Sequence, residues 1–339
     1  MNLLVTGVAG FIGFHVALRL IGQGHNVVGI DNVSDISNLA IKVARLNELG
    51  IDASRLDPCA ITASSRYGNF SFVKMDIADS GHLQQLFDSI HLDKVINLAA
   101  QAGVRCPIDN HYAYIGSNIV GFFNVLDNCR THGISHFIYA SSSSVYGDSQ
   151  AIPFSESNPI GNPVSLYAAT KVADEALAES YSQLYDMRVT GLRFFTVYGP
   201  WGRPDMSPML FAKAICDGNP IKMFNNGDMF RDFTYIDDIV DVVEIMTNTR
   251  SEGSASGHKI YNVGCSNPVQ MADFVHTLET AIGKTAIKEM MPMQQGDVYR
   301  TYADTSALEH DFGYRPKTLL KDGMAKFVDW FNTCGNKLC

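Results

Sequence analysis

Short apolar runs alternate with longer stretches of helical periodicity throughout the first half of the chain. The runs are nearly continuous, which is typical of strands that are covered on both faces. They predict strands at Leu3–Thr6, Val27–Ile30, Phe72–Met75, Val95–Leu98, Phe137–Ala140 and Thr190–Phe194. Helices are predicted between them, at Phe11–Ile21, Leu39–Leu49, Leu83–Ser89, Ile115–Thr131 and Ser165–Leu184. This alternation predicts an α/β fold with a doubly wound parallel sheet.

The pattern changes after Thr196. Pro and Gly cluster in residues 199–208, the predicted helices are shorter, and strand-like pieces occur at Ile221–Phe224, Phe233–Tyr235 and Lys259–Val263. We therefore predict two domains, residues 1–196 and a smaller α/β domain over residues 197–339, with some segments of the second returning to the first. The linker-like stretch Ser251–Gly257 is expected to be an exposed loop.

The composition excludes several classes of protein. The 339 residues carry a formal net charge of −9 and no block of Lys or Arg, which does not suit a nucleic-acid backbone. No apolar run reaches the ~20 residues of a membrane span, and no secretion signal precedes the first strand. The 7 cysteines show neither a CxxC pair nor a zinc-ligand spacing. We therefore expect a cytoplasmic protein with reduced thiols and no metal.

A glycine-rich turn lies directly between the first predicted strand and the first predicted helix. Gly7, Gly10 and Gly13 are spaced GxxGxxG, with Phe11 and Ile12 between the last two. Glycines there permit a tight turn and let backbone N–H groups approach a pyrophosphate at the helix N-terminus. The spacing differs from the GxGxxG dinucleotide fingerprint, so a structural turn without a ligand is the alternative.

An acidic residue at the end of the second strand favours a dinucleotide. A carboxylate at Asp31 can accept hydrogen bonds from both ribose hydroxyls of an adenosine and would repel a 2′-phosphate, so the sequence favours NAD over NADP. Asp76 and Ile77 follow the third strand, where an adenine contact is expected. Room for the dinucleotide is expected after the fourth strand, at Leu98, Ala99 and Ala100.

Tyr167 and Lys171 form a YxxxK pair that shares one face of a predicted helix. A phenol, with a pKa of about 10, is a poor base at neutral pH, whereas a fixed ammonium beside it favours the phenolate. Ser142 ends the fifth strand, at the edge where such sheets bind ligands, and can hydrogen-bond a substrate hydroxyl. The alternatives are a surface pair and a serine-rich turn that satisfies its own backbone. The order glycine turn, serine, YxxxK favours catalysis.

Several of these motifs carry a family resemblance. TGxxGFIG at 6–13, Asp31-Asn32, SSSSVYG at 141–147 and the YxxxK pair resemble the extended short-chain dehydrogenase/reductase family, in particular its nucleotide-sugar epimerases. The likeness continues over essentially the whole chain. Longer strings resemble the UDP-glucuronate 4-epimerases, at residues 98–105, 192–206, 231–238 and 292–297.

The resemblance implies a Rossmann-type NAD-binding domain over residues 1–196, a nucleotide-sugar-binding domain over residues 197–339, and a homodimer formed by the helices near 115–131 and 165–184. It implies that Tyr167 is the catalytic base, with Lys171 as its partner and Ser142 as a hydroxyl relay. Further implied contacts are Asn32 and Asn118 with NAD, Ser143 with the UDP-sugar, Arg231 with its diphosphate and Asp297 with its uridine end.

The residues after Ser142 distinguish the different reactions that members of this family catalyse. Related dehydratases carry Asp-Glu directly after the strand hydroxyl and decarboxylases carry a Glu, whereas this chain has Ser143 and Ser144. The sequence therefore favours epimerisation at C4 through a 4-keto intermediate. Decarboxylation of UDP-glucuronate is a less favoured alternative. A catalytically idle scaffold that binds a dinucleotide is another.

Thr196 and Arg203 indicate the substrate. Glucuronate-type epimerases resemble this chain at both positions, whereas galactose-type enzymes typically carry Asn at the first. A guanidinium can bind the C6 carboxylate in a bidentate manner, so the sequence predicts interconversion of UDP-glucuronate and UDP-galacturonate. A structural ion pair is the alternative role of Arg203. UDP-galactose and a 2-acetamido uronate are the alternative substrates.

Other features receive no role in binding or catalysis. Arg105 and Arg300 are left unassigned, and residues 51–69 have the polar, Ser-rich character of an inserted surface excursion. Asp237-Asp238 is expected to cap the following helix rather than to hold a metal.

Overall fold

The computed structural model describes residues 1–35, 38–103, 111–249, 257–293 and 298–338. The chain divides into two compact units. The first comprises Met1–Gly147, Ile160–Arg193 and Val240–Tyr261, and the second comprises Asp148–Pro159, Phe194–Ile239 and Asn262–Cys339. Within the described ranges, no helix is both long and apolar enough to cross a bilayer.

The strands, in chain order, are β1 Asn2–Thr6, β2 Asn26–Asp31, β3 Ile61–Ala63, β4 Phe70–Lys74, β5 Lys94–Asn97, β6 His136–Ser142, β7 Arg188–Phe194, β8 Thr196–Tyr198, β9 Pro220–Phe224, β10 Phe230–Tyr235, β11 Gly257–Val263, β12 Pro268–Gln270 and β13 Ile287–Met291. Eight of them form one sheet, with the order β11-β7-β6-β5-β1-β2-β4-β3. The pairs β1–β2, β1–β5, β2–β4 and β5–β6 are parallel.

The helices are α1 Phe11–Gly22, α2 Leu39–Glu48, α3 Ser80–Ser89, α4 His111–Tyr114, α5 Phe122–Thr131, α6 Leu166–Tyr185, α7 Ser207–Asp217, α8 Ile236–Asn248, α9 Met271–Ile282, α10 Ser306–Phe312 and α11 Leu320–Thr333. A π-helical segment, Ile115–Gly121, joins α4 to α5, where the sequence predicts one continuous helix. The other predicted helices and strands of the first half overlap the observed ones. The doubly wound α/β fold is therefore confirmed.

Burial explains why the apolar runs form the centre of the sheet. Leu3, Leu4 and Val5 of β1 are fully buried. Leu4 belongs to a cluster that includes Phe87 of α3 and Phe122 of α5, so these helices pack on the sheet. Since the strands are covered on both faces, neither face requires polar residues.

The chain direction across the sheet reverses at β1. The strands β2 and β4 follow on one side of β1, and β5 and β6 follow on the other. Ligands of such sheets bind at this switch, in the crevice beyond the carboxyl ends of the strands. The glycine turn after β1 and residues 98–100 after β5 therefore flank the position where a ligand is expected.

Two smaller sheets belong to the second unit. The first has the order β12-β10-β8, with β10 parallel to β8 and antiparallel to β12. The second pairs β13 with β9 in parallel. Phe233 of β10 stacks on Phe274 of α9 with ring centroids 4.2 Å apart, which ties the first of these sheets to a helix.

The structure adds detail to two expectations about organisation. The predicted excursion at residues 51–69 contains β3, which pairs antiparallel with β4 and forms the edge of the large sheet. The two units divide the chain at more points than residue 196 alone, and the prediction had included segments that return to the first domain. Val240–Tyr261 joins the first unit because β11 lies beside β7 in the large sheet, whereas Asp148–Pro159 belongs to the second unit, where Phe154 forms a bridge with Ala303.

Candidate active site

The glycine turn packs too closely to accept side chains. Gly7 has φ +70°, and a Cβ there would lie 2.8 Å from the backbone nitrogen of Ala99. A Cβ at Gly10 would lie 2.8 Å from the Gly7 carbonyl oxygen, and one at Gly13 would collide with that same oxygen. Helix α1 begins at Phe11, with Gly10 as its N-cap. The turn thus places backbone without side chains at the N-terminus of a helix. This arrangement fits the diphosphate of a dinucleotide.

Asp31 holds this turn in place. Its carboxylate is buried and accepts hydrogen bonds from the Ala9 N–H at 3.1 Å and from the Val33 N–H at 2.8 Å. Lys42 of α2 brings its Nζ within 3.6 Å of the same carboxylate. The sequence analysis missed Lys42, because α2 returns it to Asp31 from eleven residues further along the chain.

Asn32, Asp76 and Ile77 lie at the ends of neighbouring strands. The Asn32 amide donates to an Asp76 carboxylate oxygen at 3.0 Å, which links the segments after β2 and β4. The Ile77 side chain is buried in the hydrophobic core, where a Cβ on Gly121 would lie 2.6 Å from it. A contact of Ile77 with adenine therefore requires its backbone rather than its side chain.

The segment after β5 is held by polar side chains. The Thr6 hydroxyl accepts hydrogen bonds from the N–H groups of Leu98 and Ala99, at 3.1 and 3.0 Å. The buried Asn118 amide bonds to the Gln101 N–H at 2.8 Å, to the Gln101 carbonyl at 3.1 Å and to the Thr170 hydroxyl at 2.9 Å. Asn118, predicted as a cofactor contact, thus orders this segment and ties it to α6. It lies in the π-helical segment, a feature frequent at functional sites.

Tyr167 lies in the first turn of α6. The Ser165 hydroxyl caps this helix by accepting from the Ala168 N–H at 3.1 Å. The Tyr114 ring meets the half-buried Tyr167 ring edge-on, with centroids 6.4 Å apart. Helix and ring contact together fix the direction of the phenol.

Lys171 is buried one turn along the same helix. Its Nζ donates to the Ala140 carbonyl of β6 at 2.9 Å and to an Asp174 carboxylate oxygen at 3.0 Å. Burial lowers the pKa of Lys171, but the charges of Asp174 and Tyr167 outweigh it, so the pKa is raised above its usual 10.5. Ala140 precedes Ser142 by two residues, so Lys171 ties the helix that carries Tyr167 to the strand that ends in Ser142.

The serine run at the end of β6 is held by hydrogen bonds within its own turn and to α6. Ser142 accepts from the Ser144 N–H at 3.2 Å and caps the 3₁₀ turn that begins at Ser143. The buried Ser141 hydroxyl donates to Glu175 at 2.5 Å. Glu175 in turn accepts two hydrogen bonds from Arg193 of β7, at 2.8 and 2.9 Å. Sequence reasoning missed Asp174, Glu175 and Arg193, although the first two follow Lys171 within one helical turn.

The predicted sugar-binding residues of the second unit lie on or near the β10 sheet. Thr196 begins β8 and is paired with Phe233. Arg203 follows β8 and pairs with Asp205, at 2.6 and 3.1 Å, on the surface. Arg231 donates to the carbonyls of Phe230 and Tyr299, and Arg300 stacks on the Phe230 ring with its guanidinium carbon 4.3 Å from the centroid. The ion pair that was the alternative for Arg203 is therefore present.

Other candidate residues are either undescribed or have a structural explanation. Asp297 and Arg105 lie outside the described residues. Asp238 lies in the first turn of α8 and accepts from the N–H groups of Lys317 and Thr318. Cys59, Asp79 and His82 bring ligand-type atoms within 4.8 Å of one another. Asp79 caps α3 there and bonds the His82 ring at 2.7 Å, so capping accounts for that contact.

Comparisons with known proteins identify the family of this chain. Residues 3–264 match the model of the NAD dependent epimerase/dehydratase family. The chain belongs to that family. It is 44% identical to Protein CapI of Staphylococcus aureus over 344 residues, and 40% identical to the probable UDP-glucuronate 4-epimerase of Rhizobium meliloti over 346 residues. The alignments cover 98% of this chain in both cases, and 98% and 97% of the two relatives.

A solved structure of a family member has the same fold. The UDP-glucuronic acid 4-epimerase of Bacillus cereus, in complex with UDP-glucuronic acid and NAD, superposes with a TM-score of 0.86 at 30% identity. The match covers 98% of this chain and 99% of that one. The expected family and fold are thereby confirmed.

Proposed function

We propose that this chain is an NAD-dependent 4-epimerase that interconverts UDP-glucuronate and UDP-galacturonate. The observation that carries the proposal is the buried Lys171 ammonium, which joins the helix of Tyr167 to the strand of Ser142 through the Ala140 carbonyl at 2.9 Å. The names of the Rhizobium and Bacillus relatives support the same activity.

The residues around the switch at β1 fit NAD. Gly7, Gly10 and Gly13 would hold its diphosphate at the start of α1, with Phe11 and Ile12 in the first turn. Asp31 would accept the adenosine ribose hydroxyls, beside Asn32 and the Asp76–Ile77 segment, while Leu98, Ala99 and Ala100 would border the dinucleotide. NAD, when bound, supplies the hydride acceptor and later the hydride donor.

Side chains of this protein transfer the proton of the sugar O4 hydroxyl. Tyr167 removes the proton of the sugar O4, directly or through Ser142, as the 4-keto sugar forms. Lys171 favours the phenolate that this step requires, and it would also hold the nicotinamide ribose when NAD is bound. After the keto sugar turns over, the same phenol returns the proton to O4. Ser143 and Ser144 carry no acid or base for elimination at C5, so the cycle ends in epimerisation.

Substrate choice is assigned to the second unit. Arg203 binds the C6 carboxylate, exchanging its surface pair with Asp205 for a bidentate contact with substrate. Thr196 lies beside the sugar, Arg231 contacts the diphosphate and Asp297 the uridine end. A fixed carboxylate also resists loss of CO₂ from a 4-keto-uronate, a β-keto acid, when it is held in the plane that disfavours cleavage.

Proton NMR of the anomeric region tests the activity. The purified protein, without added NAD, is expected to convert UDP-glucuronate into a mixture with UDP-galacturonate, because the cofactor is regenerated in each cycle. A UDP-pentose product would indicate decarboxylation. Conversion of UDP-galactose in preference would overturn the roles of Thr196 and Arg203, and no conversion of any UDP-sugar would favour the idle scaffold.

We also propose a homodimer formed by α5, α6 and the π-helical segment. Apolar side chains on these helices are exposed, among them Val120, Phe123 and Leu184. Phe123 meets Tyr181 edge-on at 5.8 Å, so the exposed surface is continuous between the helices. Analytical ultracentrifugation is expected to give a dimer for the wild type and a monomer for Phe123→Glu.

We also propose a cytoplasmic location. The described residues include five free cysteines, which are typical of a reducing compartment.

A further inference from the structure

The Asp174 carboxylate is placed in an unusual environment. It is fully buried in α6, and one of its oxygens accepts from Lys171 at 3.0 Å. The other oxygen, Oδ1, is buried without a hydrogen-bond partner in the described part of the chain. An under-bonded buried carboxylate is costly, and an apolar residue in its place would avoid that cost. A role in the chemistry of Lys171 would explain why a carboxylate is present at this position.

The groups around Asp174 leave Lys171 as its counter-ion. Glu175, the next residue, is bound by Arg193 of β7 and by Ser141 of β6. The Tyr139 hydroxyl of β6 is bonded to the His258 ring at 2.9 Å. Burial raises the pKa of Asp174 to about 6, while the Lys171 ammonium opposes that rise and favours the ionised carboxylate.

We propose that Asp174 is a positioning residue that keeps Lys171 charged and directed at the Ala140 carbonyl throughout the catalytic cycle. This inference rests on the proposed function of Tyr167 and Lys171. It assigns Asp174 no contact with substrate or cofactor.

The charge on Tyr167 changes during the catalytic cycle, and this change explains how Asp174 acts on Lys171. Before proton transfer, Lys171 faces a phenolate on Tyr167, and afterwards it faces a neutral phenol. Without Asp174, the second state would leave a buried ammonium with no counter-charge, so Lys171 would lose its proton at a lower pH than in the wild type. With Asp174 ionised, Lys171 is paired in both states. The negative charge of the same carboxylate also opposes the formation of a phenolate on Tyr167.

Ultraviolet absorbance of ionised tyrosine tests this without any substrate. The NAD-loaded protein is titrated with base, and the same titration of Tyr167→Phe identifies the contribution of Tyr167. Asp174→Asn and Asp174→Ala both remove the charge, and Ala suits a helix if Asn prevents folding. Asp174→Glu keeps the charge. Asp238→Asn is the matched control, because Asp238 is also a buried carboxylate but lies in the second unit.

We expect the midpoint of Tyr167 ionisation to fall on the order of one pH unit in the neutral variants, from a Coulomb interaction at an effective dielectric constant of about 20. Asp174→Glu and Asp238→Asn are expected to keep the wild-type midpoint. An unchanged midpoint in the neutral variants, with the fold intact, would overturn the inference and leave Asp174 with a structural role alone.

A kinetic measurement separates this inference from the proposed function. For UDP-glucuronate, both limbs of the pH profile of kcat/KM are expected to move to lower pH in Asp174→Asn, since the phenolate forms earlier and Lys171 loses its proton earlier. A lower rate with unmoved limbs contradicts the inference only. A wild-type protein that converts no UDP-sugar contradicts the proposed function, while the absorbance titration still decides the charge effect of Asp174.

Discussion

The ion pairs of α6 are buried, whereas the ion pair of Arg203 is exposed to solvent. Lys171 and Asp174 are 3% and 0% exposed, and Arg193 and Glu175 are 3% and 4% exposed. Arg203 and Asp205 are 31% and 62% exposed, and they are only two residues apart in the chain. The first region thus holds its charges away from water, and one of its two pairs joins different elements, α6 and β7. The second region makes a local contact at the surface.

This difference separates the chemistry from the choice of substrate. Charges that are shielded from water interact strongly and are screened much less by salt, which suits a group that must keep another in one protonation state. An exposed pair contributes little to stability and exchanges easily, which suits a guanidinium that must leave one carboxylate for another. Substitutions in the two regions can break this contrast, and the largest effect is expected at Lys171.

Lys171→Met is expected to have the largest effect, on both activity and stability. Epimerisation should fall by a factor on the order of 10²–10⁴, as expected for a lost acid–base system. The free energy of unfolding should fall by about 3–5 kcal/mol, because Asp174 is left as an unpaired buried charge. NMR assays and denaturant titrations measure the two effects.

The double variant Lys171→Met/Asp174→Leu separates those effects. Replacing a whole buried ion pair by apolar residues is often neutral, so stability should recover while activity should not. Lys213→Met, which removes a half-exposed lysine of α7, is the matched control and should change neither. Recovered activity in the double variant would contradict the role of Lys171.

Arg203→Leu is expected to alter specificity without altering stability. For UDP-glucuronate, kcat/KM should fall about 10–100-fold, as for loss of a hydrogen bond between charged groups. The value for UDP-glucose should stay the same, and the free energy of unfolding should change by less than about 1 kcal/mol. The control is Arg66→Leu, which breaks another exposed pair, that with Glu48 at 2.9 Å. Equal losses for both sugars would contradict carboxylate recognition.

The smallest effect concerns the pH dependence of stability. The pKa of Asp174 is raised from its usual 3.8 to about 6 in the folded protein. As the pH rises between these values, the unfolded chain releases the proton first, so this group makes the folded state less stable. Relative to Asp174→Asn, the wild type should lose on the order of 2 kcal/mol between about pH 4 and pH 7.

Denaturant titrations across that range measure the difference. The pKa of Asp232 is also raised to about 6, by burial, but this group is present in both proteins, so its contribution cancels. Parallel stability curves for the two proteins would contradict a raised pKa of Asp174 and would mean that Lys171 offsets the whole effect of burial.

Local periodicity predicted most of the large sheet, because its strands are covered on both faces and its helices are amphipathic. It also predicted Tyr167 and Lys171 as neighbours, since their spacing in a helix is fixed. It could not predict β3 as an antiparallel edge strand or β11 beside β7, because such pairings depend on distant parts of the chain. The partners that fix the charges, such as Lys42 beside Asp31 and Arg193 beside Glu175, depend on the fold in the same way.

The epimerisation rate of Tyr167→Phe tests the central claim most directly. Wild type and variant, both loaded with NAD, are incubated with UDP-glucuronate and followed by proton NMR, with Tyr67→Phe as the control for loss of a tyrosine hydroxyl elsewhere. The account predicts a fall on the order of 10²–10⁴-fold in Tyr167→Phe with an intact fold, and no fall in the control. A Tyr167→Phe rate close to that of the wild type would contradict it.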